Sequence, residues 1–244
     1  MLPGITGFYI RPAHAFLLQR LKKARLLFPV WLGLHCFSAL AQAPVNCDMQ
    51  YSAVLQHYHS QPDGRVVALL VTFLNQSAQQ ERRESMVNSS LLGFFSALNA
   101  RDKTIKAAVA SKLDSVTAQA HRQVLQRSLE TSTAKLFAEL PISPAYNDTA
   151  WGAFFATGED QYLELLLRNC QHASSQDVAL LLTGTSARWS LGANARQDSS
   201  VRAFLLARQA TSAEARLILA AAPNVLQQAI SEGVRHHSPK AEKK

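Results

Sequence analysis

Residues that favour an α-helix far outnumber those that favour a strand or interrupt regular structure. The 244-residue chain contains 37 Ala and 34 Leu against 14 Val and 6 Ile, and it has only 10 Gly and 9 Pro. Alanine and leucine are strong helix formers, whereas β-branched residues prefer strands. Because 48% of the residues are apolar and 17% are charged, the chain can also build a sizeable core. The composition predicts an all-α fold and nearly excludes an all-β one.

Turn and capping residues divide the chain into short helices. A turn cluster at 61–64 precedes a helix that starts at Arg65, and Arg101 with Asp102 marks a break. Residues 103–139 hold two amphipathic stretches, and prolines at 141 and 144 end that half. Short helices joined by short loops predict a multi-helix bundle or stacked, α-solenoid-like helical hairpins in a single domain over 42–234.

The second half has clearer helix boundaries. Asp148 or Thr149 is expected to cap a helix that carries Trp151, and Gly158 is expected to end it in a left-handed conformation. Further helix starts are predicted at Asp160, at Ser174 with Asp177, at Asp198 and at Thr211 with Glu214.

The first 41 residues have the order of a secretory signal peptide. Basic residues at 22–25 precede an apolar run that begins at Leu26, and small residues follow that run. The run is about 16 residues long and contains Pro29, so it is shorter than the ~20 residues that a membrane-spanning helix needs. We therefore expect it to be removed rather than to remain as an anchor.

Two cleavage sites overlap at the end of this segment. Cleavage after Ala41 would make Gln42 the new N-terminus, whereas cleavage after Ala43 would place Pro44 directly after the cut. Proline fits poorly in a peptidase that binds an extended chain, so the first site is favoured. The sequence thus predicts an exported protein whose mature chain has no membrane span.

The positive charge is concentrated at the two ends. The net charge of the chain is +8. The first 41 residues contribute +5 of it, from five basic residues and no acidic one, and residues 235–244 contribute +3. Residues 42–234 therefore sum to about zero, which gives no electrostatic basis for binding nucleic acid. The basic tail at 235–244 is too polar to fold and is expected to be disordered and solvated.

Signal cleavage would leave two cysteines, Cys47 and Cys170, in a compartment that permits disulfides. An even pair favours one disulfide between them, and the alternative is two separate buried thiols. A bridge over so long a loop would stabilise the fold by roughly 4 to 5 kcal/mol in the chain-entropy description.

Short catalytic and metal-binding patterns are weak in this chain. Ser132 and Lys135 match the S-x-x-K of serine acylating enzymes, but the other motifs of those enzymes are missing and a solvated helix face explains the pair. His57 and His59 point to different sides of a helix and have no third ligand at metal spacing. We expect no catalytic residues, cofactor or metal. An enzyme would need a site assembled from scattered residues such as Glu159, Asp160 and His172.

Aromatic and arginine residues form the most suggestive cluster. Trp151 shares a helix face with aromatic neighbours at 154 and 155, which favours a place in the core. Arg188 and Arg196 are eight positions apart and are expected on one outer side of the helix that carries Trp189. Arginine and tryptophan dominate interfaces, so these three residues are a possible interaction surface for an acidic partner.

Four strings support a resemblance. They are 91–99 (LLGFFSALN), 151–158 (WGAFFATG), 187–191 (ARWSL) and 194–197 (NARQ). The strings resemble a widespread family of uncharacterised small all-helical bacterial proteins, over most of residues 65–208. The resemblance implies a helical fold and a bacterial, hence periplasmic or secreted, protein. It implies no functional residues because the family has no assigned reaction.

We therefore expect a non-enzymatic helical protein that binds another protein or a peptide of the cell envelope. The alternatives are a periplasmic immunity or inhibitor protein directed against a toxin and, with less support, an enzyme whose active site follows no motif.

Overall fold

The computed structural model describes residues 54–77, 84–222 and 224–228. No β-strand occurs among these residues, which confirms the all-α prediction, and all of them belong to one compact unit. Short 3₁₀ turns follow two of the helices, at Leu113–Ser115 and at Cys170–Ser174. The main α-helices are α1 (Val66–Ser77), α2 (Glu84–Arg101), α3 (Lys103–Lys112), α4 (Gln119–Glu130), α5 (Thr133–Glu139), α6 (Pro144–Thr157), α7 (Asp160–Asn169), α8 (Val178–Asn194), α9 (Ser199–Arg208) and α10 (Ala213–Ala220). Residues 54–57 and 224–228 are also helical.

Side-chain caps begin many of these helices. Asp102, Asp177 and Asp198 accept hydrogen bonds from backbone N–H groups in the first turns of α3, α8 and α9. Ser132 and Ser212 do the same for α5 and α10. These groups have no partner within their own helix, so the caps satisfy them. The predicted break before α3 and the predicted starts of α7 and α9 are confirmed.

Helix α6 begins earlier than predicted. Asp148 and Thr149 lie inside the helix and do not cap it. The cap is Ser143, whose hydroxyl accepts a hydrogen bond from the first turn (Oγ···N 3.2 Å), and Pro144 follows it. Proline suits the first helical position because no N–H is needed there. Gly158 ends the helix with φ of 71°, as predicted.

Two predicted capping boxes are displaced by a few residues. Ser174 belongs to the 3₁₀ turn, and Asp177 caps α8 by accepting from a backbone N–H three residues later (2.9 Å). Ser212 rather than Thr211 caps α10. In both places a neighbouring side chain whose oxygen can accept a hydrogen bond caps the helix instead.

Helices α2 and α6 make the most extensive contact in the fold, and they run parallel. A Cβ atom added at Gly93 would lie 1.8 Å from the carbonyl oxygen of Thr149, and one added at Gly152 would lie 1.9 Å from that of Ser90. The backbones of the two helices therefore touch directly. Where both helices end, the Arg101 guanidinium donates to the carbonyl of Thr157 (2.9 Å).

Helix α6 is the centre of the bundle. Helices α2, α7 and α8 all pack against it, and its residues from Thr149 to Ala156 are buried without a break. Fully buried side chains from these neighbours complete the core, among them Phe94, Leu163, Leu166 and Leu191. A helix surrounded in this way indicates a bundle rather than a linear stack of hairpins.

The C-terminal helices complete one end of the bundle. Helices α9 and α10 form a hairpin that packs on α7 and α8. On another side of α8, a Cβ atom at Gly184 would lie 2.2 Å from the amide nitrogen of Ala173, so the 3₁₀ turn Cys170–Ser174 covers that side. Among the described residues, no helix has the length and apolar character needed to cross a membrane.

Several predictions concern residues outside this description. The signal peptide, its cleavage before Gln42, Cys47 and the tail at 235–244 all lie there, so the structure does not test them.

Candidate functional site

Asn147 on α6 joins three helices through buried hydrogen bonds. Its Nδ2 donates to the carbonyl of Thr183 (2.9 Å) and to Oγ of Ser186 (3.2 Å), both on α8. Its Oδ1 accepts from Nδ2 of Asn169 on α7 (2.8 Å). Because buried polar groups are costly when unpaired, these bonds fix the register of α7 and α8 on α6.

Trp151 lies one turn further along α6 and contacts α8 in the same way. Its Nε1 donates to Oγ of Ser190 (3.0 Å), and its ring stacks on Phe155 with ring centroids 5.4 Å apart. Phe154 meets it edge to face at 5.9 Å. Only 6% of Trp151 is exposed, which confirms that it belongs to the core.

Asp148 lies beside these two residues, on the side of α6 that it shares with Phe155 seven positions later. Its side chain is half-buried, and burial raises the pKa of its carboxyl from 3.8 to about 7. No ion pair or hydrogen bond joins this carboxyl to another residue in the described ranges, and burial is the only cause of the shift. Asp148 is therefore a carboxyl with no compensating charge beside it.

A half-buried line of side chains follows one side of α8. Leu182, Ser186, Trp189 and Ala193 recur at spacings of three and four, and we call them the Trp189 stripe. The indole N–H of Trp189 is buried, and no acceptor for it occurs in the part of the chain that the structure describes. A buried donor without an acceptor costs about 1 to 3 kcal/mol of stability, and an acceptor supplied from outside would recover part of that cost.

Asp148 and the Trp189 stripe lie on the same side of the α6–α8 pair. The contacts from Asn147 to Ser186 and from Trp151 to Ser190 fix how far each helix is rotated about its axis. With that rotation, Asp148 and the Trp189 stripe face away from the side of α8 that the 3₁₀ turn covers at Gly184. This shared side is the candidate functional site.

The arginines of the predicted interaction surface make contacts within the chain. Arg188 donates two hydrogen bonds to Glu214 of α10, from Nε (2.7 Å) and from Nη2 (2.5 Å). Arg196 donates from Nη2 to the carbonyl of Ala221 (3.2 Å). Both side chains thus reach toward α10 and its end. Both guanidinium groups are therefore engaged within the chain, and the interaction surface of Arg188, Arg196 and Trp189 stays a prediction.

The S-x-x-K pattern has a structural role. The hydroxyl of Ser132 accepts a hydrogen bond from the backbone N–H of Lys135 (3.3 Å) as the cap of α5. The Lys135 ammonium lies 3.7 Å from the Glu139 carboxylate, one turn further along the helix. Both polar groups are used by the helix itself, and neither contacts the other's side chain as a nucleophile and base would.

The remaining candidate residues lie apart. His57 is exposed, and Nε2 of His59 lies 4.0 Å from the carboxylate of Asp198. Across the described ranges, no group of three His, Cys, Asp or Glu side chains could hold a metal ion. Asp160 begins α7, and His172 lies beyond its end, about 15 Å away or more at 1.5 Å per residue. The structure therefore does not assemble a site from Glu159, Asp160 and His172.

Cys170 is fully buried, and its thiol is free in this structure. Its Sγ donates to the carbonyl of Leu166 (3.4 Å), and burial raises the pKa of the thiol far above its usual range. Because Cys47 lies outside the described residues, the disulfide between these cysteines stays a prediction.

Sequence analysis missed Asn147 and misassigned Asp148. The Ser143–Pro144 pair was the available signal. A helix that starts there contains both residues, with Asn147 on the same face as Trp151 and with Asp148 next to that face.

The resemblance drawn from the four sequence strings likewise stays a prediction. No protein-family model matches the chain, and no curated protein or solved structure is significantly similar to it.

Proposed function

We propose that this chain is an exported helical protein that binds another protein or a peptide through the Trp189 stripe and Asp148, without catalysing a reaction. The observation that carries the proposal is Trp189, a half-buried tryptophan whose indole N–H has no acceptor in the described part of the chain. Tryptophan is enriched among the residues that dominate binding energies, because it combines a large apolar surface with one directional donor.

A polypeptide partner suits this surface chemically. Its backbone carbonyl groups could accept from the indole N–H once the side chains that cover that group shift. Leu182 and Ala193 would supply apolar contact on either side of the ring. Asp148 adds a carboxyl that would gain a favourable interaction if the partner brought a basic side chain near it.

Substitution of Trp189 tests the proposal. The mature chain and its Trp189→Ala variant would be immobilised and exposed to envelope extract, with Leu206→Ala as the matched control. Leu206 is a large apolar residue on α9 that is already 42% exposed. We expect Trp189→Ala to lose the retained partner, Leu206→Ala to keep it, and both variants to keep the helical circular dichroism of the parent. Equal retention by both variants would contradict the proposal.

Fluorescence gives a second readout that does not depend on retention. Removal of the first 41 residues leaves Trp151 and Trp189 as the tryptophans of the mature chain. In a Trp151→Phe variant Trp189 is the sole reporter, and its emission should shift when the purified partner is added. An unchanged spectrum at saturating partner would place the binding surface elsewhere.

Export is the other half of the proposal. It is supported by the order of basic, apolar and small residues before Gln42. Intact mass of the protein recovered from the periplasm should correspond to a chain that begins at Gln42. Recovery of the full-length chain from the cytoplasm would contradict both export and the disulfide prediction.

A further inference from the structure

Ion-pair contacts between separate helices are confined to one part of the described structure, and each of them involves the α9–α10 hairpin or its cap. Arg188 of α8 pairs with Glu214 of α10. Arg208 of α9 pairs with Glu164 of α7 and lies 3.7 Å from Asp160. The other ion pairs among the described residues, Arg65 with Asp63 and Lys135 with Glu139, join near neighbours in sequence.

The cap of α9 extends this pattern. Asp198 precedes the helix, and one of its carboxylate oxygens lies 4.0 Å from Nε2 of His59, an interaction that becomes an ion pair when the imidazole is protonated. Arg208 also lies over the ring of Phe204, with its central carbon 3.7 Å from the ring centroid. The hairpin is therefore attached to the bundle by charged groups at several separate points.

These pairs are accessible to solvent ions. The side chains of Arg188 and Glu214 are 25% and 27% exposed, and those of Arg208 and Glu164 are 25% and 43% exposed. Salt weakens ion pairs at such partial exposure, although less than it weakens fully exposed pairs, because the Debye length falls from about 30 Å at 0.01 M to about 3 Å at 1 M. The α2–α6 contact has no charged group at its crossing, where Gly93 and Gly152 bring backbone onto backbone.

Apolar burial keeps the hairpin docked when the ion pairs are weakened. Val201, Phe204 and Leu205 of α9 and Ala215 and Ile218 of α10 are buried against the bundle. The contribution of these few side chains is small beside that of the core around α6. Helix α6 alone buries ten residues, whereas the two helices of the hairpin together bury five. Local openings are favoured in regions with few buried apolar contacts.

We infer that the α9–α10 hairpin is a salt-sensitive latch, which detaches from α7 and α8 as one unit while the rest of the bundle stays folded. Detachment would uncover the side of α8 at Gly192. A Cβ atom at that position would now lie 3.6 Å from Ile218 and 2.8 Å from Leu226. The closed latch thus covers a part of α8 that is distinct from the Trp189 stripe.

Amide hydrogen exchange of the mature protein, read by mass spectrometry, tests the latch. Peptides from 199–220 should exchange on the order of tenfold faster in 0.5 M than in 0.05 M NaCl, and peptides from 144–157 should not change. Exchange from 199–220 that is as slow as that of α6 and independent of salt would overturn the inference.

Two variants separate this ion-pair effect from a general effect of salt. Glu214→Gln should accelerate exchange of 199–220 at low salt and reduce its response to added salt. Glu139→Gln, which removes a carboxylate of the exposed local pair on α5, should do neither. Equal acceleration by both variants would overturn the inference. If Glu214→Gln does not fold, the salt comparison on the unmodified protein still decides.

Discussion

The α2–α6 contact and the α9–α10 hairpin are stabilised in opposite ways. At the first, two helices touch through glycines, and the free energy comes from close packing around a buried central helix. At the second, short helices cover the bundle with a few apolar side chains, and arginine carboxylate pairs supply the remaining contacts. The comparison teaches that one fold can combine a contact that tolerates no added atom with one that solvent conditions can adjust.

Arginine has a second role in the hairpin, which Arg101 also has at the end of α6. Arg216 donates to the carbonyls of Gln209 and Ala210, at the end of α9, and Arg196 donates to the carbonyl of Ala221, at the end of α10. Carbonyl groups at a helix C-terminus lack partners and carry partial negative charge. These side chains therefore support helices of only eight to ten residues, which would be marginal alone.

The largest expected effect is at the contact of α2 with α6, where Gly93 and Gly152 lie. Gly152→Ala would place a Cβ atom 1.9 Å from a backbone oxygen of α2, which cannot move aside as a flexible side chain could. We expect a loss of stability above the ~3 kcal/mol that is usual for overpacking, with little folded protein left at 25 °C. Circular dichroism during urea unfolding measures it.

Gly64→Ala is the matched control, because no atom lies within 4 Å of the added Cβ. It should leave the unfolding midpoint within about 0.5 kcal/mol of the parent, as surface substitutions usually do. A similar small effect from Gly152→Ala would show that the two helices can separate at low cost.

The next largest effect is expected from Trp151→Ala, within the same region. The variant removes a buried ring that stacks on Phe155, and it leaves Ser190 without its donor. Large-to-small core changes of this kind cost about 3 to 5 kcal/mol, which thermal unfolding would report as a lower melting temperature. If stability were unchanged and partner retention were lost, Trp151 would be part of the binding surface instead of the core.

A smaller effect that depends on pH is expected at Asp148. Below about pH 4 both the folded and the unfolded chain hold its proton, and only the folded chain still holds it up to about pH 7. The stability contributed by this group therefore falls as pH rises from 4 to 7 and stays constant above. Asp148→Asn should be more stable than the parent by about 1 to 3 kcal/mol at pH 7.5, and should match it at pH 4.

Melting curves at both pH values check this difference, and comparison with the parent cancels the titration of the other carboxylates. An advantage of Asp148→Asn that is the same at pH 4 and pH 7.5 would mean that its cause is packing and not the charge.

The smallest effect is expected in the hairpin, from Arg196→Ala. The change removes one hydrogen bond from an exposed guanidinium to the end of α10, at 3.2 Å. We expect a loss of about 0.5 kcal/mol, which equilibrium unfolding can resolve only with replicate curves. A loss as large as that from Trp151→Ala would contradict the contrast between the two regions.

Sequence analysis predicted the elements of the fold better than their contacts. Composition predicts that the elements are helices, and capping residues predict where they begin and end. The predicted end at Gly158 and the predicted start at Asp198 agree with the structure. The partners of Gly93 and Gly152 were not predictable, because an isolated glycine in a helical pattern does not indicate which backbone will approach it. The position of α6 against α2 is a long-range property of the fold.

The candidate site was predictable only in part. Trp189 was singled out by its residue type, and Arg188 and Arg196 by a spacing of eight positions. That spacing does not reveal that both arginines bond to groups of the chain itself. Glu214, the partner of Arg188, follows 26 positions later. A residue's charge is visible in the sequence, but whether that charge is already neutralised depends on such distant partners.

The parallel arrangement of α2 and α6 has a consequence for the order of folding. Parallel helices cannot be joined by a tight turn, and the residues that meet where they end, Arg101 and Thr157, are 56 positions apart. Bringing them together costs loop-closure entropy before any packing compensates for it, and contacts of high sequence separation slow folding. Helices α3 to α5 occupy this interval, so their early formation would shorten the loop that remains to be closed. We therefore expect closure of α2 on α6 to limit the folding rate.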